Sequence, residues 1–137
     1  MTTPPELRAF RPADLDGAIA LLADEGWRTY TEHPERTCRA LVAPGSTTLV
    51  ALDGEAVVGL VQLQSDGEIH AHLSALLVAQ SWRGRGLGRT LLREAFERAG
   101  GVRIDLLSRA RDYYVSLGAE EISGFRLTRA NVEPKDS

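Results

Sequence analysis

Near the middle of the chain, Arg83-Gly84-Arg85-Gly86-Leu87-Gly88 alternates three glycines with other residues, and Arg89 follows directly. An apolar stretch ending at Val78 precedes this segment, and Leu87, Leu91, Leu92, Ala95 and Phe96 recur after it at helical spacing. A glycine-rich turn between a strand and a helix start is an anion site. The first backbone N–H groups of the helix have no internal acceptor, and the helix dipole favours negative charge there. Glycines let the backbone approach an anion closely and adopt left-handed conformations. Arg83, Arg85 and Arg89 oppose the dipole, and a bound phosphate is the simplest compensation. The competing reading is a tight turn with solvated arginines. The strand before, the helix after and the arginines favour the phosphate.

The phosphate pattern is not a nucleotide-triphosphate loop, because Gly88-Arg89-Thr90 lacks the required lysine. A dinucleotide fingerprint begun at Gly84 needs glycine where Arg89 stands. Asp105 lies at about the right distance downstream to hold a ribose, but it falls in a stretch that reads as a buried strand. The chain also opens with a meander rather than with parallel β-α-β units.

The elements that must position this turn are legible on both sides. Leu7 to Arg11 alternates like a short strand, and Pro12-Ala13-Asp14 reads as a helix start with Asp14 as N-cap. Leu15, Ala18, Ile19 and Leu22 carry that helix to Gly26, and a weaker helix is predicted from about Pro34 to Val42. Three strands follow. The first runs over Thr47–Leu52 with a hairpin signal at Asp53-Gly54, the second over Ala56–Gln64, and the third over Glu68–Val78. In the third, Glu68, His70, His72 and Ser74 alternate with Ile69, Ala71, Leu73 and Ala75 until the pattern breaks at Leu76-Leu77-Val78, as a β-bulge would cause. After the glycine-rich segment come a helix to Ala99, a buried strand over Val102–Leu107, a helix over Arg109–Leu117 and a last strand within Glu120–Thr128. Residues 1–5 and about 130–137 read as loose ends. The expected fold is a single α/β domain with a mixed sheet, an antiparallel meander followed by a βαβ unit, and helices on both faces.

At this point the sequence resembles the GCN5-related N-acetyltransferase (GNAT) superfamily. Its Gln/Arg-x-x-Gly-x-Gly/Ala signature is met by Arg83 to Gly88, and Val78 stands where the preceding strand of the family ends. A family tyrosine in the helix after the next strand is matched within Ala110-Arg111-Asp112-Tyr113-Tyr114-Val115-Ser116-Leu117-Gly118. Gly118 is followed by Ala119 where the family pattern has phenylalanine, and the family's asparagine near the start of this helix is replaced in the region of Leu107 and Ser108. The resemblance implies acetyl-CoA as acyl donor, with its pyrophosphate on the backbone amides of about Arg83, Gly84, Arg85, Gly86, Leu87 and Gly88, and with Arg89 adding charge beside them. It implies that the backbone of Leu76, Leu77 and Val78, splayed from the next strand, pairs with the pantetheine arm. It also implies Tyr114 as the general acid that protonates the departing thiolate, with Tyr113 as a packing residue.

An amine acceptor arrives protonated, so a base is needed. His72 to Val78 is similar to the His-Leu-His-Ala-Leu-x-Val of arylalkylamine N-acetyltransferases, with Ser74 in place of the second histidine. Imidazole titrates near neutrality, so His72 is the first candidate, with His70 or Glu68 behind it, acting directly or through water. The acceptor side is expected to include Ser74 and the cluster of Glu25, Trp27, Tyr30, Glu32 and His33, whose aromatics and carboxylates suit a small cationic or aromatic amine. Cys38, beside Arg36 and Arg39, is the one thiol. It has no paired histidine motif and reads as a small helix residue rather than an acyl-carrying nucleophile. His70-x-His72 completes no coordination set, so no metal is expected.

The bulk composition fits this reading. With 137 residues, 43% hydrophobic and 26% charged, the chain is one soluble domain's worth. A net charge of −3 argues against nucleic acid as the main partner. No apolar stretch suits a signal peptide or a bilayer span, so a cytoplasmic protein acting on a small-molecule amine, as monomer or homodimer, is expected.

Overall fold

The computed structural model describes residues 3–134, which divide into two compact units at Leu106/Leu107. Of the loose ends expected at residues 1–5 and about 130–137, residues 1–2 and 135–137 lie outside the described residues, and the second is corrected in part, because Arg129–Val132 forms a short helix. The first unit contains, in order, β1 (Glu6–Ala9), α1 (Leu15–Asp24), α2 (Arg28–Thr31), α3 (Pro34–Leu41), β2 (Ser46–Asp53), β3 (Ala56–Ser65), β4 (His70–Val78), α4 (Leu87–Ala99) and β5 (Arg103–Asp105).

The five strands form one sheet in the order β1-β2-β3-β4-β5. Pairing is antiparallel from β1 to β4 and parallel between β4 and β5. The expected meander and βαβ unit are therefore present. On one face, Ala18, Leu21 and Leu22 of α1 and Leu41 of α3 meet Val50, Leu52, Leu60, Ala75 and Leu77. On the other, Gly59 of β3 lies under α4. A Cβ there would stand 2.8 Å from Leu91 and 3.4 Å from Leu87, so the missing side chain lets the helix seat closely on the sheet. Leu91 is fully buried, which stabilises this contact by roughly 1.5–3 kcal/mol.

Asp14 precedes α1, but it does not cap the helix through its side chain. Its carboxylate is committed elsewhere: it accepts two hydrogen bonds from Arg8, at 2.7 and 2.8 Å, and one from the Arg11 amide. The Arg8 hydrogen bonds hold this carboxyl below its ordinary range. The single turn α2 was not anticipated, because four residues carry no readable period. The strand expected over Val102–Leu107 shortens to three residues, with Val102 exposed.

The second unit begins at Leu107 and contains α5 (Arg111–Ser116) and α6 (Arg129–Val132). The strand expected within Glu120–Thr128 does not form; that segment has no regular structure, and Ile122, Phe125 and Leu127 are exposed. Its glycine is pressed against a neighbour instead of pairing in a ladder. A Cβ on Gly124 would stand 2.4 Å from the Leu107 side chain.

Candidate active site

The glycine-rich turn joins β4 to α4. Gly84 and Gly86 are left-handed, with φ of +77° and +81°, and nothing lies within 4 Å of where their Cβ atoms would be. These glycines are there for conformation, then, and the surface over them is open. Thr90 closes the first turn of α4 by donating both its amide and its hydroxyl to the Gly86 carbonyl. The amides from Gly84 to Arg89 find no acceptor among the described residues. Six consecutive donors without acceptors at a helix start suit an anion.

The three arginines divide the work unequally. Arg83 does not stand free beside the turn as the sequence reading has it. Its Nε donates to the Val78 carbonyl at 3.1 Å, and its Nη2 pairs with Glu25, just past the end of α1. The Arg85 guanidinium stacks 4.5 Å above the ring of buried Trp82. Arg89 is exposed. The Leu87 side chain is buried, so only its backbone faces the turn's outer side.

β4 supplies the other half of the site. Gln62 pairs with Ala75 while Leu63 pairs with Leu73, so Ser74 is an extra residue, and the bulge lies two residues before the point the sequence pattern suggests. This insertion puts His72, opposite Gln64, on the same face as Ala75, opposite Gln62. β5 pairs with β4 only from His70 to His72. From Ser74 to Val78, the strand continues with β3 as its partner in the sheet. Leu77 faces the core, whereas Leu76 and Val78 are half-buried.

The bulge also shapes a cleft of about 540 Å³ lined by Tyr30, Gln62, Gln64, Asp66, His70 and His72, together with the α3–β2 connection. Thr37 donates to the Tyr30 carbonyl, and Gln62 donates to the Ala40 carbonyl at 3.0 Å. These bonds hold α2 and α3 at the cleft's rim. Gln64 reaches the bulge, donating to Ser74 Oγ at 2.7 Å. Burial raises the Tyr30 phenol above its usual range. His70 Nε2 lies 3.0 Å from Asp105 Oδ2.

The candidates are sorted by this geometry. His70, His72 and Tyr30 meet in one cleft, with Ser74 hydrogen-bonded to its lining. Glu68 does not join them: β4 starts at His70, and Glu68 is exposed in the preceding turn. There the Asp66 carboxylate accepts the amides of Glu68, Ile69 and His70 and is held low by them, Ile69 and Glu68 contributing most. Trp27 packs against the core, edge-on to Tyr30 at 5.4 Å, and does not line the cleft. Glu32 pairs with Arg28, His33 precedes α3, and Cys38 packs against the core. Two participants escaped the sequence reading, Glu25 as partner of Arg83 and Asp105 as partner of His70. The parity of Asp105 with His72 becomes readable only once the parallel register is known.

In the second unit, Tyr114 is half-buried on α5, its ring edge-on to Tyr113 at 5.1 Å. Burial, and secondarily Tyr113, pushes the Tyr114 phenol up to about 12. Tyr113, expected to be the packing residue, is the more exposed of the two.

A sequence model of the acetyltransferase (GNAT) family matches residues 13–119. No curated protein sequence matches significantly. Among solved structures, a transcriptional regulator from Bacillus halodurans superposes with a TM-score of 0.75 at 23% identity, covering 90% of this chain and 99% of its own. A Trypanosoma brucei acetyltransferase gives 0.72 at 22% identity, with 90% and 98% covered. An aminoglycoside antibiotic 6'-N-acetyltransferase from Acinetobacter haemolyticus gives 0.77 at 15% identity, with 96% and 99% covered. At these identities the likeness is one of fold.

Proposed function

The chain belongs to the GNAT acetyltransferase family, and from that premise we propose that it moves an acetyl group from acetyl-CoA to the primary amine of a small molecule. The observation that carries this reading is the run of acceptorless amides from Gly84 to Arg89, at the end of a strand that β5 leaves after His72. That run fits a pyrophosphate. Its donors are unspent, the left-handed glycines keep its surface open, and Arg85 and Arg89 add positive charge.

Acetyl-CoA supplies a thioester, an acyl group activated toward amines. The turn holds the pyrophosphate by its amides. The Leu76–Val78 backbone, beyond the β4–β5 pairing, hydrogen-bonds the pantetheine arm. In the cleft, His72 or His70 takes a proton from the ammonium, directly or through water, leaving the nitrogen lone pair free to attack the thioester carbon. As the carbon–sulfur bond breaks, Tyr114 donates its phenolic proton to the sulfur, and the second proton that the nitrogen sheds on becoming an amide restores the phenol, directly or through water. A phenol held near 12 stays protonated at neutral pH and is ready for that donation.

The cleft lining suits a small polar amine. It offers glutamine, serine, histidine and tyrosine side chains and one carboxylate, and contains no lysine or arginine. Among the described residues no helix is long and apolar enough to cross a membrane.

The test is free-thiol release from acetyl-CoA across a panel of primary amines. Amine-dependent release supports the transferase. A melting temperature raised by acetyl-CoA with no release from any amine makes the chain an acyl-CoA-binding module instead.

A further inference from the structure

The transferase reading leaves two histidines on one strand face, and only one of them has a partner. The ring of His72 makes no hydrogen bond among the described residues, whereas His70 Nε2 lies 3.0 Å from Asp105 Oδ2. The contact is built by the sheet. β5 runs parallel to β4 with Asp105 opposite His72, so the carboxylate stands on the histidine face and reaches back along it to His70. Arg103 Nε, at 3.4 Å from the same oxygen, steadies the carboxylate from its other side. The remaining ionisable groups facing this ring are Asp66 of the preceding turn, whose carboxylate accepts the His70 amide, and His72 and Tyr30 in the cleft.

We infer that Asp105 is a positioning residue that fixes His70 as the Nε2–H tautomer, so that its Nδ1, with the cleft, receives the proton released by the acceptor amine. A carboxylate only accepts, so the ring nitrogen facing it carries the hydrogen and the lone pair is left on Nδ1. When Nδ1 takes a proton, the imidazolium forms against a carboxylate already in contact, with no reorganisation of the site. His70 begins β4, two residues from His72 and four from the bulge at Ser74, and a strand advances about 3.3 Å per residue. The proton therefore reaches His70 through His72 or a water in the cleft. The nitrogen loses two protons on becoming an amide: the one released before attack passes to His70 and leaves to solvent after turnover, and the other replaces the proton that Tyr114 gives to the sulfur.

This inference rests on the transferase reading, so its test includes a readout independent of turnover. Long-range nitrogen–proton NMR of the full chain without substrate should show a slowly exchanging proton on His70 Nε2 and none on either nitrogen of His72. Asp105→Ala should release that proton to fast exchange and let both tautomers appear, while Asp105→Asn, whose amide oxygen still accepts, should keep the Nε2 proton protected. In the thiol-release assay, Asp105→Ala should lower kcat about tenfold or more with KM for acetyl-CoA unchanged, and Asp105→Asn should fall between Ala and wild type. Persistence of a slowly exchanging Nε2 proton as the sole tautomer in Asp105→Ala, or full kcat in that variant, overturns the assignment. If Asp105→Ala fails to fold, Asp105→Asn decides: it must retain the proton and lose part of kcat. Absence of thiol release by the wild-type chain would refute the transferase reading and leave the tautomer result to be judged on its own.

Discussion

Arg83 and Glu25, separated by 58 positions in sequence, form an ion pair that ties the glycine-rich turn to the end of α1, while the same guanidinium holds the Val78 carbonyl at 3.1 Å. Arg83 is thus a strut within the protein, and under the proposed function the charge that meets the phosphate is left to Arg89 and to Arg85 on its tryptophan shelf. Arg83→Ala should lower the melting temperature of the ligand-free chain, at a cost of about 1 kcal/mol or less because the pair is half exposed. Arg89→Ala should leave that temperature unchanged and weaken acetyl-CoA binding about fivefold, equivalent to roughly 1 kcal/mol. Calorimetric titration together with thermal melting separates the two. The reverse assignment of effects would make Arg83 the phosphate ligand.

Gly86 is required for its backbone. Its φ of +81° is a conformation that a β-branched residue avoids, yet there is open space where a Cβ would go. Gly86→Val should therefore reorient the amides without a steric clash. Acetyl-CoA affinity should fall tenfold or more, matching roughly 1–3 kcal/mol of backbone strain. Unchanged affinity would remove the turn from the pyrophosphate site.

Tyr114→Phe should lower kcat by about 10²-fold or more, with little change in acetyl-CoA affinity. Because burial raises the phenol to about 12, the acid form persists through the neutral range, and kcat should show no alkaline decline from Tyr114 below about pH 10. The same shift has a stability consequence. The unfolded tyrosine ionises near 10 while the folded one keeps its proton, so stability falls as pH rises from about 10 toward 12. Tyr114→Phe should flatten that decline in a pH series of denaturant melts.

Asp14 gives the opposite pH signature. Hydrogen bonds from Arg8 lower its carboxyl below the ordinary aspartate value. The resulting stability is present above that value and is lost as pH falls through the lower folded pKa. Asp14→Asn should destabilise the chain at pH 7 and converge with wild type in strong acid. A constant difference at all pH values would assign the loss to packing.

The parts legible in the sequence are those written in local periodicity. Leu87, Leu91 and Ala95 mark α4, Asp53-Gly54 marks the β2–β3 hairpin, and the alternation from His70 marks β4. The bulge was legible as a break in pattern, but its position at Ser74 depends on pairing with Gln62 and Leu63, which one strand cannot specify. Long-range partners were illegible for the same reason. Glu25 meets Arg83 and Asp105 meets His70 only through the fold. The last strand was misread because Ile122, Phe125 and Leu127 carry a strand's residue types. Strand formation also needs a partner edge, and Gly124 lies against Leu107 instead.

The most direct test of acetyl transfer follows the acetyl group itself. Acetyl-CoA carrying an isotopic label in the acetyl group is incubated with the chain and an amine that supports thiol release, and the products are read by mass spectrometry. The account predicts one labelled acetyl group on the amine for each thiol released, with both falling together in Tyr114→Phe. Thiol release with the label recovered as free acetate, and none on the amine, would contradict it.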